Sequence, residues 1–450
     1  MERNGLNISA SHLIWKWSNK KRFSLTYISI VRFTSNFYRV DTELYFLFYF
    51  ASMSREKRSN WYGLWRWFLC RCLDLFYRRM EVSGLENIPK NKPVIFASNH
   101  TNALIDPLVI TYFSGKQHYF MTRGDVFSMK IIDKLFRSWR MLPLFRMKDG
   151  IETLSRNEAE MEFVTNQLAD GQSMIIFPEG SHFWQREIKP LKKGLVRMAY
   201  EVMDKNPESD LVVIPVGLYF NEMIKLNQDV LVNFGAPISV REFPKEETPQ
   251  KTFLRFNAHL RSKMQEQILF IDLEGETYEQ AETWRTELAE RLNSLPLKQS
   301  YRYQKEFIQI VCRPSFQEWN QNRSLNLDEV LASDMMKSWW TELAPQLANP
   351  TWSHPAVKAI KWPFYMLSFI QFFPLFYLGR MLLGKIKDRT FHNSVKFGLA
   401  LLVQPLFTLI FGFLMVPLFG SWWALPIYLL SAPIWAVLFT EWRGNQKVQF

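Results

Sequence analysis

His100 and Asp106 are separated by five residues in the stretch Asn99-His100-Thr101-Asn102-Ala103-Leu104-Ile105-Asp106-Pro107, and further along the chain stands Phe177-Pro178-Glu179-Gly180-Ser181-His182. A neutral histidine can take a proton from an attacking hydroxyl if an acceptor holds its other ring nitrogen. Asp106 is near enough in sequence to be that acceptor, as in a Ser-His-Asp arrangement. No serine is needed when the substrate itself brings the hydroxyl. In the second stretch Glu179 offers a carboxylate, and Gly180 removes a side chain where a ligand would lie against the backbone. A basic group follows, Arg186, Lys189, Lys192, Lys193 and Arg197. Near a helix N-terminus it would suit a phosphate, with Lys189, Lys192 or Lys193 as the binding candidates. Each feature also has a plainer reading. His100 fits an ordinary loop histidine. Asp106 fits a helix N-cap before Pro107 and Leu108. The basic group fits a solvated helix face.

The elements around these stretches point to an α/β fold with a mostly parallel sheet flanked by helices. Short apolar runs at Val94–Ala97, His118–Thr122, Met141–Phe145, Met174–Phe177, Val212–Leu218 and Leu231–Phe234 read as strands. Helical patterns such as Ile151–Leu168 and Leu191–Met203 lie between them, and such alternation implies parallel pairing. Both chemical stretches directly follow a strand. Loops at strand ends are where α/β folds place their sites.

The 450 residues allow two or three structural units, and an excess of 12 positive charges makes the chain basic. A basic chain can favour nucleic acid, an anionic membrane or phosphorylated substrates. Aromatic residues make up 16% of the chain. They sit in apolar helical runs near its two ends rather than on strands among basic residues, which excludes a nucleic-acid partner and favours membrane lipids. Cys70, Cys72 and Cys312 are the only cysteines, so no disulfide framework is expected. Cys70-x-Cys72 lacks a second ligand pair, and no metal is expected.

Trp61 to Met80 reads as an amphipathic helix. Trp61, Leu64, Trp65, Phe68, Cys72, Leu75 and Phe76 fall on one face, with Arg66, Arg71, Asp74, Arg78 and Arg79 mostly opposite. Tryptophan against arginine suits a helix lying among lipid headgroups. The alternative is a helix packed on the soluble domain. Residues 1–52 hold no secretory signal, and Met53 looks like a start, so the extension before the helix is expected to be dispensable. At the other end, Phe397–Phe419 and Ser421–Thr440 are uncharged and of membrane-crossing length. Basic flanks prefer the cytoplasmic side. Keeping the groups around Lys358, Lys385 and Arg443 all inside predicts a helical hairpin over 397–440. Pro363–Leu383 is then re-entrant or interfacial. Three spans with an outside C-terminus are the alternative.

Taken jointly, these stretches resemble the glycerophospholipid acyltransferases, the group that contains bacterial 1-acylglycerol-3-phosphate acyltransferase. That family's first block is an Asn-His followed by an Asp, and a later block reads Phe-Pro-Glu-Gly. Leu142-Pro143-Leu144-Phe145-Arg146 resembles its apolar run ending in an arginine, and Val213-Ile214-Pro215-Val216 its fourth block. The resemblance covers roughly residues 85–240. It implies that His100 deprotonates the acceptor hydroxyl and that Asp106 holds it. The oxygen attacks an acyl thioester, and CoA or acyl carrier protein leaves as a co-substrate product, with no cofactor. It also places Asn99, Arg146, Glu179, Gly180 and Ser181 at the substrate, Arg146 on a glycerol phosphate acceptor. Two positions depart from the family. Five residues separate His100 from Asp106 where four are usual, and Ser181-His182 replaces Thr-Arg. Both departures resemble a subgroup acting on glycerol 3-phosphate or dihydroxyacetone phosphate, which includes eukaryotic membrane-bound members with a long apolar C-terminal region.

The expected organisation is an N-terminal extension over 1–60, an interfacial helix over 61–80, an acyltransferase catalytic domain over 81–245, a helical accessory region over 246–350 and a membrane-anchoring helical region over 351–450. The expected protein is a phospholipid-synthesising enzyme of the bacterial inner membrane or endoplasmic reticulum, with its catalytic domain on the cytoplasmic face. Two alternatives remain: a lipid-binding scaffold with a degenerate acyltransferase domain, and a lipid or thioester hydrolase that uses the same histidine with water.

Overall fold

The apolar run Val94–Ser98 forms strand β2, and every one of its residues is buried. A strand covered on both faces needs apolar side chains pointing both ways. Val94 and Phe96 enter the core on one side of the sheet, Ile95 and Ala97 the core on the other. A computed structural model describes residues 60–145, 154–321, 323, 325–347 and 355–444. Among the described residues the sheet has eight strands: β1 (Arg79–Ser83), β2, β3 (His118–Arg123), β4 (Met141–Leu144), β5 (Ser173–Ile176), β6 (Val212–Phe220), β7 (Asp229–Phe234) and β8 (Ile238–Ser239). Their order is β1-β7-β6-β2-β5-β3-β4, with β8 also paired to β6. Pairing is parallel except where β6 meets β7 and β8. All six strands expected from the sequence are present, each end within two residues of its expected place.

Helices cover both faces. On one side lie α1 (Asn60–Phe76), through Leu69, Leu73 and Phe76, and α2 (Ile105–Ser114), through Ile105, Val109 and Ile110. Between β3 and β4 comes α3 (Lys130–Ser138). On the other side lie α4 (Leu154–Ala169), α5 (Gly194–Lys205) and α6 (Pro249–Gln267). Phe256, Leu260 and Met264 of α6 share a core with Leu195 and Val213. The α/β layer therefore runs through Gln267, past the boundary expected at residue 245.

Two expectations for the N-terminal helix change. The helix ends at Phe76, and Met80 belongs to β1, which pairs with β7 from Arg79↔Asp229 onward. Burial would raise the Asp229 carboxyl, but Arg78 and Arg79 beside it hold it well below the usual carboxylate range and pin β1 in place. The buried stripe also differs from the expected face. Arg66, read as polar-side, is 6% exposed, and its Nη2 donates to the carbonyls of Thr111 and Tyr112. A cation suits those last-turn carbonyls of α2. Trp65 stacks on Trp139 with ring centroids 4.5 Å apart. The helix is thus packed on the α/β layer through this face, while Trp67 on it stays exposed.

Helices α7 (Gly275–Arg291), α8 (Leu297–Val311), α9 (Pro314–Asn320), α10 (Leu327–Ala332) and α11 (Lys337–Leu343) form a separate apolar cluster against Tyr219 and Leu231. The tail holds α12 (Pro355–Leu383), α13 (His392–Gly398), a π-helical stretch Leu399–Val403, α14 (Gln404–Phe419) and α15 (Ala424–Gly444). The stretches Lys361–Leu383 and Arg389–Phe419 are long and apolar enough to cross a membrane, and Ala424–Thr440 is a shorter apolar helix. The re-entrant form expected for Pro363–Leu383 is not seen. Pro363 and Pro374 sit inside one continuous helix of 29 residues, and it packs on α15 through the Phe372–Phe439 stack at 4.8 Å. The expectation for residues 1–52 lies outside the described residues.

Candidate active site

Strands β2 and β5 are neighbours, parallel and in register from Val94↔Ser173 to Ala97↔Ile176. Their C-terminal ends therefore lie side by side. The loop carrying His100 and the loop carrying Glu179 emerge together, although about eighty residues separate them. The His100 ring stacks on Phe177 at 3.9 Å, and the Phe183 N–H donates to the His100 carbonyl at 2.8 Å.

His100 Nδ1 lies 2.8 Å from Asp106 Oδ2. The same oxygen accepts the backbone N–H groups of Thr101 and Asn102, each at 2.8 Å. Asp106 is completely buried. It sits inside the first turn of α2, whose N-cap position is Leu104, and its bonds go to the preceding loop. The N-cap reading of Asp106 therefore does not hold. With five intervening residues the loop must fold back tightly, and Ala103 adopts φ 42°. A left-handed conformation costs an alanine about 1–2 kcal/mol, and strain of this kind gathers at functional sites. Among the described residues His100 Nε2 has no hydrogen-bond partner, and the side chain is 17% exposed.

Glu179 is 4% exposed, and one of its carboxylate oxygens accepts the Lys189 N–H at 3.1 Å. Burial pushes its carboxyl up to about 7, although the Lys189 N–H and the nearby His100 pull it down. From about pH 4.5 to about pH 7 the folded state then keeps a proton that the unfolded chain has released. The resulting contribution to stability is fully present below the lower pH and is lost as pH rises through the upper one. Thermal unfolding followed from pH 4 to 8 should show a decline across that window that Glu179→Gln flattens; an unchanged slope in the variant would remove this assignment.

Gly180 has φ 75°, and its N–H closes a turn onto the Phe177 carbonyl at 3.0 Å. A side chain there would be strained and would press on Lys192, whose Cγ lies 3.1 Å from the position of a Cβ. Ser181 is exposed beside it. Asn99 has a different task from the one expected. Its amide donates to the Leu218 carbonyl at 3.1 Å and accepts the Leu218 N–H at 2.8 Å. Its polar atoms are therefore engaged in tying the His100 loop to β6.

The basic group separates. Arg186 is buried and bonded to Glu282 and to the carbonyls of Phe220 and Asn221, so it joins the α7–α11 region to the sheet. Arg197 pairs with Glu201 at 2.7 Å. Lys189 lies over the Phe183 ring at 3.2 Å. Lys192 and Lys193 are exposed at the start of α5. Arg146 lies outside the described residues.

The sequence reading missed one group entirely. The connector between α12 and α14 folds back onto the site, and its Asp388 Oδ2 lies 2.7 Å from His182 Nε2. The His182 ring meets His100 edge-on at 5.7 Å and Phe391 at 4.7 Å. In the sequence His182 stands out only as a departure from a motif, and nothing local to Asp388 connects the two.

An acyltransferase family model matches residues 79–219, which run from β1 into β6. A lyso-glycine lipid O-acyltransferase of Phocaeicola vulgatus is 30% identical over 208 residues, covering 40% of this chain and 72% of that protein. The chain belongs to the acyltransferase family. An uncharacterised acyltransferase of Schizosaccharomyces pombe is 19% identical over 258 residues, covering 39% of this chain and 38% of that one. Glycerol-3-phosphate O-acyltransferase 1 of Saccharomyces cerevisiae is 36% identical over 83 residues, covering 18% of this chain. The chain spans 38% and 10% of the lengths of these two yeast acyltransferases. The matched acyltransferase segment contains both the His100–Asp106 loop and the Glu179–Gly180 loop.

Proposed function

We propose that this acyltransferase moves a fatty acyl group from an acyl thioester, acyl-CoA or acyl carrier protein, to a hydroxyl of glycerol 3-phosphate or 1-acylglycerol 3-phosphate in phospholipid synthesis. The observation that carries this reading is the His100–Asp106 pair with Nε2 left for a substrate. Asp106 holds the proton on Nδ1, so the Nε2 lone pair can take the proton of the acceptor hydroxyl. The oxygen attacks the thioester carbonyl, and a C–O bond forms. The tetrahedral adduct then collapses with loss of the C–S bond, and the imidazolium returns its proton to the leaving thiolate. The residues named here supply the proton transfers, and Asn99 positions the histidine loop.

Membrane attachment with the site on the cytoplasmic face is part of this proposal. An apolar cavity of about 470 Å³ lies between α1 and the tail helices, with Phe68, Phe372, Leu399, Gln404 and Phe439 in its wall, and suits lipid contact. The tail hairpin returns to the catalytic side, where Thr440 Oγ1 lies 3.4 Å from the Leu75 carbonyl oxygen.

The test is the full-length protein in phospholipid vesicles with radiolabelled acyl-CoA, offered each acceptor in turn. Labelled ester formed with glycerol 3-phosphate or its 1-acyl form is the expected result. Ester formed only with a lyso-glycine lipid, the class named for the Phocaeicola relative, would replace the acceptor and keep the chemistry. Free fatty acid alone would mark a hydrolase. Lipid binding without consumption of the thioester would mark a scaffold.

A further inference from the structure

The tail is more than an anchor. Its connector, residues 384–396, grips both loops of the site. Ser394 Oγ accepts the Leu104 N–H at 3.0 Å and donates to the Asn102 carbonyl at 3.1 Å, holding the loop that joins His100 to Asp106. Asp388 holds His182 on the other loop at 2.7 Å. The connector is set for this task by its own chemistry. Asp388 Oδ1 accepts both the N–H and the hydroxyl of Thr390, at 3.0 and 2.7 Å, which shapes the turn. Asn393 and Ser394 are buried polar residues, at 0% and 8% exposure, and they bond to the catalytic layer rather than to lipid. The paired groups, the Asn393 amide N–H and the Ser394 hydroxyl, specify one docked geometry.

We propose that Asp388 is a positioning residue: through His182 it fixes the loop Phe177–Phe183 against His100, so that the tail connector forms one wall of the acceptor site. This rests on the reading of His100 as the base. His182 stands outside the His100–Asp106 pair, edge-on to it at the rim of the site, with its side chain 18% exposed. Its loss therefore acts on binding of the acceptor head rather than on proton transfer.

Two measurements on the full-length protein in vesicles test this. The first needs no activity. Hydrogen exchange of residues 177–184 should quicken in Asp388→Ala and remain slow in Thr390→Val, which loosens only the connector's own turn. Unchanged exchange in Asp388→Ala, or equal quickening in Thr390→Val, overturns the proposal. The second is kinetic, with acyl-CoA and either glycerol 3-phosphate or 1-acylglycerol 3-phosphate. Asp388→Ala should raise the acceptor KM about ten-fold, the scale of one lost charge-assisted hydrogen bond, with kcat little changed. Asp388→Asn keeps an acceptor for His182 and should recover most of the loss. The double variant with His182→Ala should be no worse than His182→Ala alone, because the two residues act as one unit. Additive losses, or a fall in kcat with the acceptor KM unchanged, overturn it. His100→Ala run in parallel separates the failures. If that variant keeps turnover, the base assignment fails, while the exchange result still judges the clamp.

Discussion

Replacing His100 with alanine should lower turnover by roughly 10²–10⁴-fold, the range for removal of a positioned general base, while vesicle flotation shows undiminished membrane binding. The separation is expected because His100 belongs to a loop at the sheet edge. Its ring touches Phe177 and His182 and bonds to Asp106, and none of these contacts lies in the tail helices α12, α14 and α15. Neither core cluster of the sheet includes it. Kinetics at saturating donor and acceptor would read the effect in kcat. Wild-type turnover by the variant would sink the proposed mechanism, because no second histidine contacts Asp106 among the described residues.

Asp106→Asn should lower kcat strongly too, by up to about 10⁴-fold on the scale of an aspartate that orients a catalytic histidine, and it should leave the fold intact. The geometry keeps the loop's bonds in this substitution, while the amide NH2 takes the place of the buried, unpartnered Oδ1. All three bonds to Asp106 fall on Oδ2. An asparagine carbonyl at that position can still accept the N–H groups of Thr101 and Asn102, so the loop keeps its shape. What is lost is the negative charge that stabilises the imidazolium formed on proton transfer. A wild-type circular dichroism spectrum and a thermal stability lowered by the buried amide, on the order of 1–3 kcal/mol, alongside reduced kcat, are the expected results. Wild-type kcat would instead assign Asp106 a purely structural part in the loop. Asp106→Ala is a poorer test, since it would strand two buried N–H groups as well.

Some of this was legible in the sequence for definite reasons. Strands buried on both faces need continuous apolar runs, and Val94–Ser98 and Val212–Phe220 show them. β1 was concealed because Arg79–Ser83 is an edge strand pinned by charges on Asp229, and its residues continue the pattern of the helix before it. Arg66 misled for a similar reason. Periodicity places an arginine on the polar face, but the open carbonyls at the end of α2 give it a buried partner. The basic group after Glu179 looked like one patch, and the fold distributes it among a buried ion pair, a surface pair and a ring contact.

Order and residue type, through the resemblance of these blocks to the acyltransferases, pointed to acyl transfer, with a hydrolase and a scaffold as the alternatives. A histidine and an aspartate after one apolar strand, and a glutamate and glycine after another, leave few chemistries open, because proton transfer requires particular groups at particular strand ends. The neighbourhood of those groups was decided only by the tertiary structure. Parallel pairing of β2 with β5 brings the two loops together. The return of the tail connector then sets Asp388 beside His182 across 206 positions of chain. Periodicity describes which face of an element is apolar, but it carries no information about which distant segment will cover that face.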